Sequence, residues 1–200
     1  MTKTIEFLTH RFACKHYLNR QVEEEKLKVI LEAGRLSPSS FGLEPWCFHI
    51  TKSSDILSEC YYQESMKSAP ITIVITVKKE KSFDPYSSFV KERASRFPDP
   101  LEVFIDDYKG YYEMLKREGR VDMWSRSQSY IAAANMMTAA AELGIESCAI
   151  EGYDNDRLIS ALGLDNAEDE VGIVIAFGYS AEEERPKIRE TLESITIDHR

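Results

Sequence analysis

The chain has little cysteine and uses it without pattern. Cys14, Cys47, Cys60 and Cys148 are its four thiols in 200 residues. None stand in CxxC spacing and no histidine lies at ligand spacing from any of them, which argues against zinc or another metal. They read as reduced thiols of a cytoplasmic protein. Positive charge is scarce too: 25 Lys and Arg face 34 Asp and Glu, a formal net charge of −9. That argues against nucleic acid or an anionic membrane as the main partner, because phosphate backbones demand clustered Lys and Arg. A small phosphate site made by a few basic residues stays open. No apolar run approaches the ~20 residues of a membrane span. The opening MTKTIEFLTHRF lacks the apolar stretch of a secretion signal. Neither GxGxxG nor GxxxxGK[ST] occurs, so a Rossmann or P-loop nucleotide site is not supported.

What is present is enough for an ordered core, with 43% hydrophobic and 30% charged residues. No repeat, low-complexity tract or linker divides the chain, so one domain over residues 1–200 is expected, with a helical excursion at about 78–120. Ile5, Leu8 and Phe12 suggest a first helix. Leu27, Ile30 and Ala33 face one way on a second, amphipathic one. WCFHIT (46–51), ITIVITV (71–77), ESCAIEG (146–152) and VGIVIAFG (171–178) read as strands, and residues 54–60 as a brief helix. In the excursion, aromatics from Phe83 to Tyr112 are dispersed among charges and cover something. A long helix from Met123 to Leu143 follows, apolar almost all round in its second half and ended by Gly144. Such a helix must be buried on several sides, which points to a partner subunit. Asp154 or Asn155 caps a last helix ending near Gly163.

Four separated segments carry candidate chemistry. HRFACK places Arg11 and Lys15 four apart, on one side of a helix end or turn. SPSSFGLEPW, from Ser37 to Trp46, is rich in turn formers and hydroxyls. AIEGYD ends a strand in a glycine-containing turn. RPKIR places Lys187 and Arg189 two apart in an extended stretch, so both project to one side. Each alone has a bland reading: a surface charge, a plain loop, a turn.

Taken together and in this order, they make the sequence resemble the FMN-dependent nitroreductase family over nearly its whole length. Arg11, Phe12, Ala13 and Lys15 match that family's Arg-x-Ser-x-Lys-like opening. Pro38, Ser39, Ser40, Gly42 and Glu44 fall in its serine-rich loop before Pro-Trp. Ile150, Glu151 and Gly152 match its Ile-Glu-Gly turn, and Lys187 and Arg189 its C-terminal Lys-x-Arg. The resemblance implies an α+β fold, a central mixed β-sheet flanked by helices, and an intertwined homodimer with FMN in clefts between the subunits. It implies hydride transfer from NADH or NADPH to a small-molecule electron acceptor, a nitroaromatic, quinone or related compound, by ping-pong turnover. Arg11, Lys187 and Arg189 suit the FMN phosphate. Ser39 and Ser40 suit the ribityl chain and ring edge, and the turn at 150–152 the flat ring. Lys15 would sit at the pyrimidine end, where it favours the reduced flavin, and Gln63 near the flavin O2.

The sequence also departs from the family. Ala13 lacks a hydroxyl, Gly42 replaces an asparagine, and Glu44 stands where glutamine is frequent. A carboxylate beside a ring that becomes negative is unfavourable, so Glu44 either points away, pairs with Lys15 or is neutral. These departures keep an alternative alive, a flavin-binding or regulatory protein of the same fold without significant turnover. Cys14 reads as inert packing, and Glu151 as a turn residue whose backbone is used.

Overall fold

Two segments too apolar to expose either face set the centre of the molecule. The computed structural model describes residues 2–56, 59–60 and 67–200. In it ITIVITVK forms β2 (Ile71–Lys78) and DEVGIVIAFG forms β4 (Asp169–Gly178), paired antiparallel in mid-sheet. WCFHIT forms β1 (Trp46–Thr51) at one edge and ESCAI forms β3 (Glu146–Ile150) at the other, in the order β1-β2-β4-β3. All three ladders are antiparallel. The parallel component expected of a mixed sheet is confined, among the described residues, to the isolated bridge Ala13–Ser147. The last strand segment of ESCAIEG stops at Ile150, and Gly152 lies in the turn beyond it.

Strand side chains alternate between faces. Ile73, Ile75, Ile173, Ile175 and Phe177 form one layer, under α2 (Glu24–Arg35) and α6 (Val121–Glu142). Val74, Val174 and Ala176 form the other, with Leu158 and Ile159 of α7 (Asn155–Ala161) and with Cys14 and Tyr17. The cap of α7 is Asp154, whose carboxylate accepts the Arg157 N–H at 3.1 Å. Leu27 and Ile30 are buried on α2 as their spacing predicts, while Ala33 is only half-buried and Gly34 takes the inner position.

The long helix differs from expectation in where its apolar side goes. Ala132, Ala133, Met136 and Ala140 are buried inside this chain, against α2 and the sheet. Glycine makes that closeness possible: a Cβ at Gly172 would stand 2.4 Å from Ser129 Oγ on α6. The exposed apolar stripe of α6 is Met123, Tyr130 and Ile131, at 60%, 36% and 39% exposure.

Residues 80–124 build a satellite core. Phe83, Val90 of α4 (Ser88–Ala94), Ile105, Tyr108, Tyr112 and Leu115 of α5 (Leu101–Arg117) and Trp124 pack together with Leu43. Tyr108 closes it by donating to the Phe83 carbonyl at 2.8 Å. The short helices α1 (Lys3–His10) and α3 (Ser53–Ile56) complete the described elements; α1 buries no residue and leans on α6. Among the described residues no helix is long and apolar enough to cross a membrane, and no group of three metal-ligating side chains comes together.

Candidate active site

The first site segment is extended, not helical. Helix α1 ends at His10, and Ala13 pairs with Ser147 at the edge of β3. The chain turns at Ala13, where the Cys14 N–H donates to the Phe12 carbonyl at 3.1 Å, so Arg11 and Lys15, expected on one side, reach different neighbours: Arg11 those of the C-terminal segment and Lys15 the Cys148 thiol. The chain then runs beside residues 179–181: Leu18 N–H donates to the Tyr179 carbonyl at 2.8 Å and Ala181 N–H to the His16 carbonyl at 2.9 Å. That antiparallel contact carries residues 185–189 back over residues 11–13.

The result is a cleft of about 200 Å³ lined by Arg11, Phe12, Ala13, Arg185, Pro186, Lys187, Ile188 and Arg189. Lys187 Nζ donates to the Arg11 carbonyl. Arg185 pairs with Glu182 at 2.5 Å and lies over the Phe12 ring, 5.4 Å from its centroid. Among the described residues Arg11, Lys187 and Arg189 form no ion pair. Burial lowers the Lys187 pKa, and the charges of Arg11 and Arg189 lower it further. Beneath them Glu146 accepts the Phe12 N–H at 3.3 Å, and burial raises its pKa against that bond and the pull of Arg11. Three cations thus crowd one small cleft, a donor set whose chemistry suits an anion.

Lys15 sits deeper, half-buried, with Nζ 3.1 Å from Cys148 Sγ. Its backbone N–H donates to Glu182 at 2.5 Å. Cys14, pointing the other way, is fully buried and its pKa is raised by that burial. It packs as an inert thiol. Beside Lys15, β3 leads into the turn at Glu151 and Gly152, where Tyr153 N–H donates to the Glu151 carbonyl at 3.1 Å. Glu151 Oε1 accepts from the Tyr130 hydroxyl at 2.6 Å. Burial, and then that bond, raises the Tyr130 pKa.

The serine-rich loop is held in a rare backbone conformation. Phe41, Gly42 and Glu44 have φ of 54°, 60° and 44°. A left-handed conformation costs a non-glycine residue roughly 1–2 kcal/mol. Packing of Phe41 against Tyr108, Tyr111 and Phe104, with ring centroids 5.3, 5.4 and 6.1 Å away, offsets a cost of that order. Glycine is favoured at 42, where φ is positive and a Cβ would meet Phe97 Cζ at 2.7 Å unless that ring moved. Ser39 Oγ accepts the Glu44 N–H at 2.9 Å. Ser40 N–H donates to Gln128 Oε1 at 3.0 Å, and Asn135 donates to Ser37 Oγ at 2.8 Å. Pro38 is exposed. Glu44 pairs with Arg96 at 3.0 Å, not with Lys15.

The structure therefore brings Arg11, Phe12, Ala13, Lys187 and Arg189 together, but not the loop with the turn. Gln128 and Asn135 hold the loop on one side of α6. Tyr130, which holds the turn, is two residues from Gln128, roughly 200° around the helix. Gln63 lies outside the described residues. Sequence reasoning missed Arg96, Gln128, Tyr130 and Asn135; Arg96 is 52 residues from Glu44 and carries no local signal.

The family model described as the Nitroreductase family matches residues 8–179. A Bacillus subtilis protein, YfkO, provisionally named an NAD(P)H nitroreductase, is 31% identical over 97% of this chain and 96% of its own. A Staphylococcus haemolyticus protein of the same provisional name is 31% identical over 96% and 94%. Among solved structures, a nitroreductase-like protein of Streptococcus mutans superposes with a TM-score of 0.82 at 17% identity, covering 98% of both chains. An Exiguobacterium sibiricum protein provisionally named a nitroreductase, solved in complex with FMN, gives 0.79 at 18%, covering 98% and 97%. At such identities these structures establish the fold.

Proposed function

Because this chain belongs to the Nitroreductase family, we propose that it is an FMN-dependent oxidoreductase. It takes reducing equivalents from NADH or NADPH and passes them to nitroaromatic, quinone or related acceptors in a ping-pong cycle. The observation that carries this reading is the cleft of Arg11, Lys187 and Arg189. A phosphomonoester brings nearly two negative charges, and it would offset both the burial and the neighbouring charges of Arg11 and Arg189 that depress the Lys187 pKa. The donor set thus fits the phosphate end of FMN.

Other residues take roles that follow from their surroundings. Lys15 holds a positive charge next to the turn of Ile150, Glu151 and Gly152, fit for the end of the ring that gains negative charge. The turn offers exposed backbone at Glu151 and Gly152, while the Glu151 carboxylate is engaged by Tyr130. Ser39 keeps its hydroxyl proton as a donor after accepting from Glu44 N–H, and Ser40 keeps its hydroxyl. The flavin, when bound, supplies the hydride chemistry itself, so no protein acid or base is required for that transfer.

The separation of loop and turn by α6 supports a homodimeric site, in which the loop of one protomer meets the cleft and turn of its partner. Apolar side chains await such a cover: Met123, Tyr130 and Ile131 on α6, Ile5 and Leu8 on α1, and Ile188, Leu192, Ile195 and Ile197 in the tail. Sedimentation at low micromolar concentration is expected to show a dimer. A monomer that retains FMN would sink the shared site.

The visible spectrum of the purified protein tests the cofactor. Oxidation of NADH and NADPH with menadione or nitrofurazone tests turnover. A colourless protein that takes up no added FMN overturns the reading, whereas a yellow protein inert towards both nucleotides supports flavin binding without turnover.

A further inference from the structure

The guanidinium of Arg96 touches the candidate site without being part of its sequence motifs. It follows α4 in the satellite core, and its Nη1 donates to Glu44 Oε2 at 3.0 Å while its Nη2 donates to the Gly42 carbonyl at 2.9 Å. Its own Nε is tied back to the Arg93 carbonyl at 3.2 Å, which fixes the direction of the fork. The next residue, Phe97, is the one whose ring closes over Gly42. Two adjacent residues of the excursion therefore grip the stretch where three of four residues have left-handed φ.

We infer that Arg96 is a positioning residue for the FMN site, with two separable effects. It fixes the 39–44 loop in its ligand-facing shape, and it neutralises the Glu44 carboxylate that would otherwise oppose reduction of a flavin nearby. The inference rests on the functional reading above and deepens it. It also accounts for the two departures in the loop. Glycine at 42 leaves room for Phe97 beside the carbonyl that Arg96 takes. Glutamate at 44 is matched by a cation that a glutamine would not need. A single exposed ion pair contributes little by itself. The fork of Arg96 does more because it binds a carbonyl and a carboxylate two residues apart, so both must hold their relative orientation.

Three variants, Arg96→Gln, Arg96→Lys and the double variant Arg96→Gln/Glu44→Gln, separate the two effects. FMN affinity is read by fluorescence titration of apo-protein, and the flavin midpoint potential by dye-coupled titration. Arg96→Gln is expected to weaken FMN binding about tenfold, the scale of lost charge-assisted hydrogen bonds, and to lower the midpoint potential. Arg96→Lys keeps the charge but not the fork, so it restores the potential more fully than the affinity. The double variant recovers the wild-type potential while its affinity stays weak, because the Gly42 carbonyl remains without its donor. A purely structural loss would move affinity and melting temperature together and leave the potential unchanged. Wild-type affinity in Arg96→Gln, or a potential that stays low in the double variant, overturns the inference while FMN binding by the wild type stands. A wild-type protein that binds no FMN overturns the functional reading, and this role with it.

Discussion

Arg11 and Lys187 meet from 176 residues apart, whereas Ser39 and Glu44 are five apart. The cleft is built by two extended segments laid side by side, and its cations crowd one another. The 39–44 loop is built by local strain, and aromatic packing and a guanidinium hold it there whether or not a ligand is present. The cleft therefore stores binding energy in unpaired charge, while the loop stores geometry. Changes in the cleft should act through affinity and ionic conditions. Changes in the loop should act through backbone shape.

The largest effect is expected where that charge is removed. Lys187→Ala/Arg189→Ala leaves Arg11, among the described residues, as the one unpaired cation lining the cleft. Each lost charge-assisted contact is worth roughly tenfold or more in affinity. FMN titration of the apo-protein should show the double variant weaker by about a hundredfold or more. Binding equal to wild type would remove the C-terminal segment from the site.

A loop change should come next, and it should not depend on salt. Gly42→Ala forces a side chain into a backbone with φ of 60° and against Phe97, whose Cζ stands 2.7 Å from the new Cβ. The strain is on the order of 1–2 kcal/mol, seen as a lower melting temperature together with weaker FMN binding. Raising ionic strength should weaken binding in wild type and variant alike. A variant with unchanged melting temperature would mean that the loop is softer than its packing indicates.

The pH dependence of the cleft sharpens the comparison further. Lys187 has its pKa lowered by burial, then by Arg11 and Arg189, and a bound dianion would raise it again. The complex thus has the higher Lys187 pKa and the free protein the lower one. Affinity is then fully present below the depressed free-state pKa and declines as pH rises through it, before the ordinary lysine value of 10.5. Lys187→Arg should move that decline to higher pH, because guanidinium stays protonated. An identical alkaline profile for both proteins would show that Lys187 does not titrate against the ligand.

The same contrast explains what could be read from the sequence. Strands β2 and β4 were legible because ITIVITV and VGIVIAFG have no charged residue to turn outward, and the two threonines of the first, Thr72 and Thr76, are buried with the rest. The cations of the cleft were legible because charge type and spacing survive in sequence: Lys187 and Arg189 two apart in a proline-led stretch, and Arg11 beside the first helix. The secondary structure beneath was not; the pair on 11 and 15 reads equally as a helix turn or an extended strand, and the Ala13–Ser147 bridge decides it. The grip on the loop was illegible because Arg96 looks like any solvated arginine until α4 folds back on residues 41–44. The apolar run at 132–141 was assigned to a partner because periodicity cannot distinguish a neighbouring helix of the same chain from one of another.

The smallest effect is expected at Glu44, and its sign carries the information. A carboxylate near a ring that gains negative charge should lower the flavin potential, so Glu44→Gln should raise it. Removing that carboxylate leaves Arg96, 3.0 Å away, without its counter-charge, but both side chains are at least a third exposed and solvent screens charges so placed. The upward shift should therefore be slight, with FMN affinity within about fivefold of wild type. Lys15→Met, which removes a half-buried cation whose Nζ lies 3.1 Å from the Cys148 thiol, should lower the potential by more, because solvent screens it less, and slow reduction by NAD(P)H. Both variants belong in one dye-coupled titration, because the ordering is the test. If Glu44→Gln moved the potential further than Lys15→Met, the loop rather than β3 and its neighbour would dominate the field at the flavin. A lowered potential in Glu44→Gln would contradict the electrostatic argument for that residue.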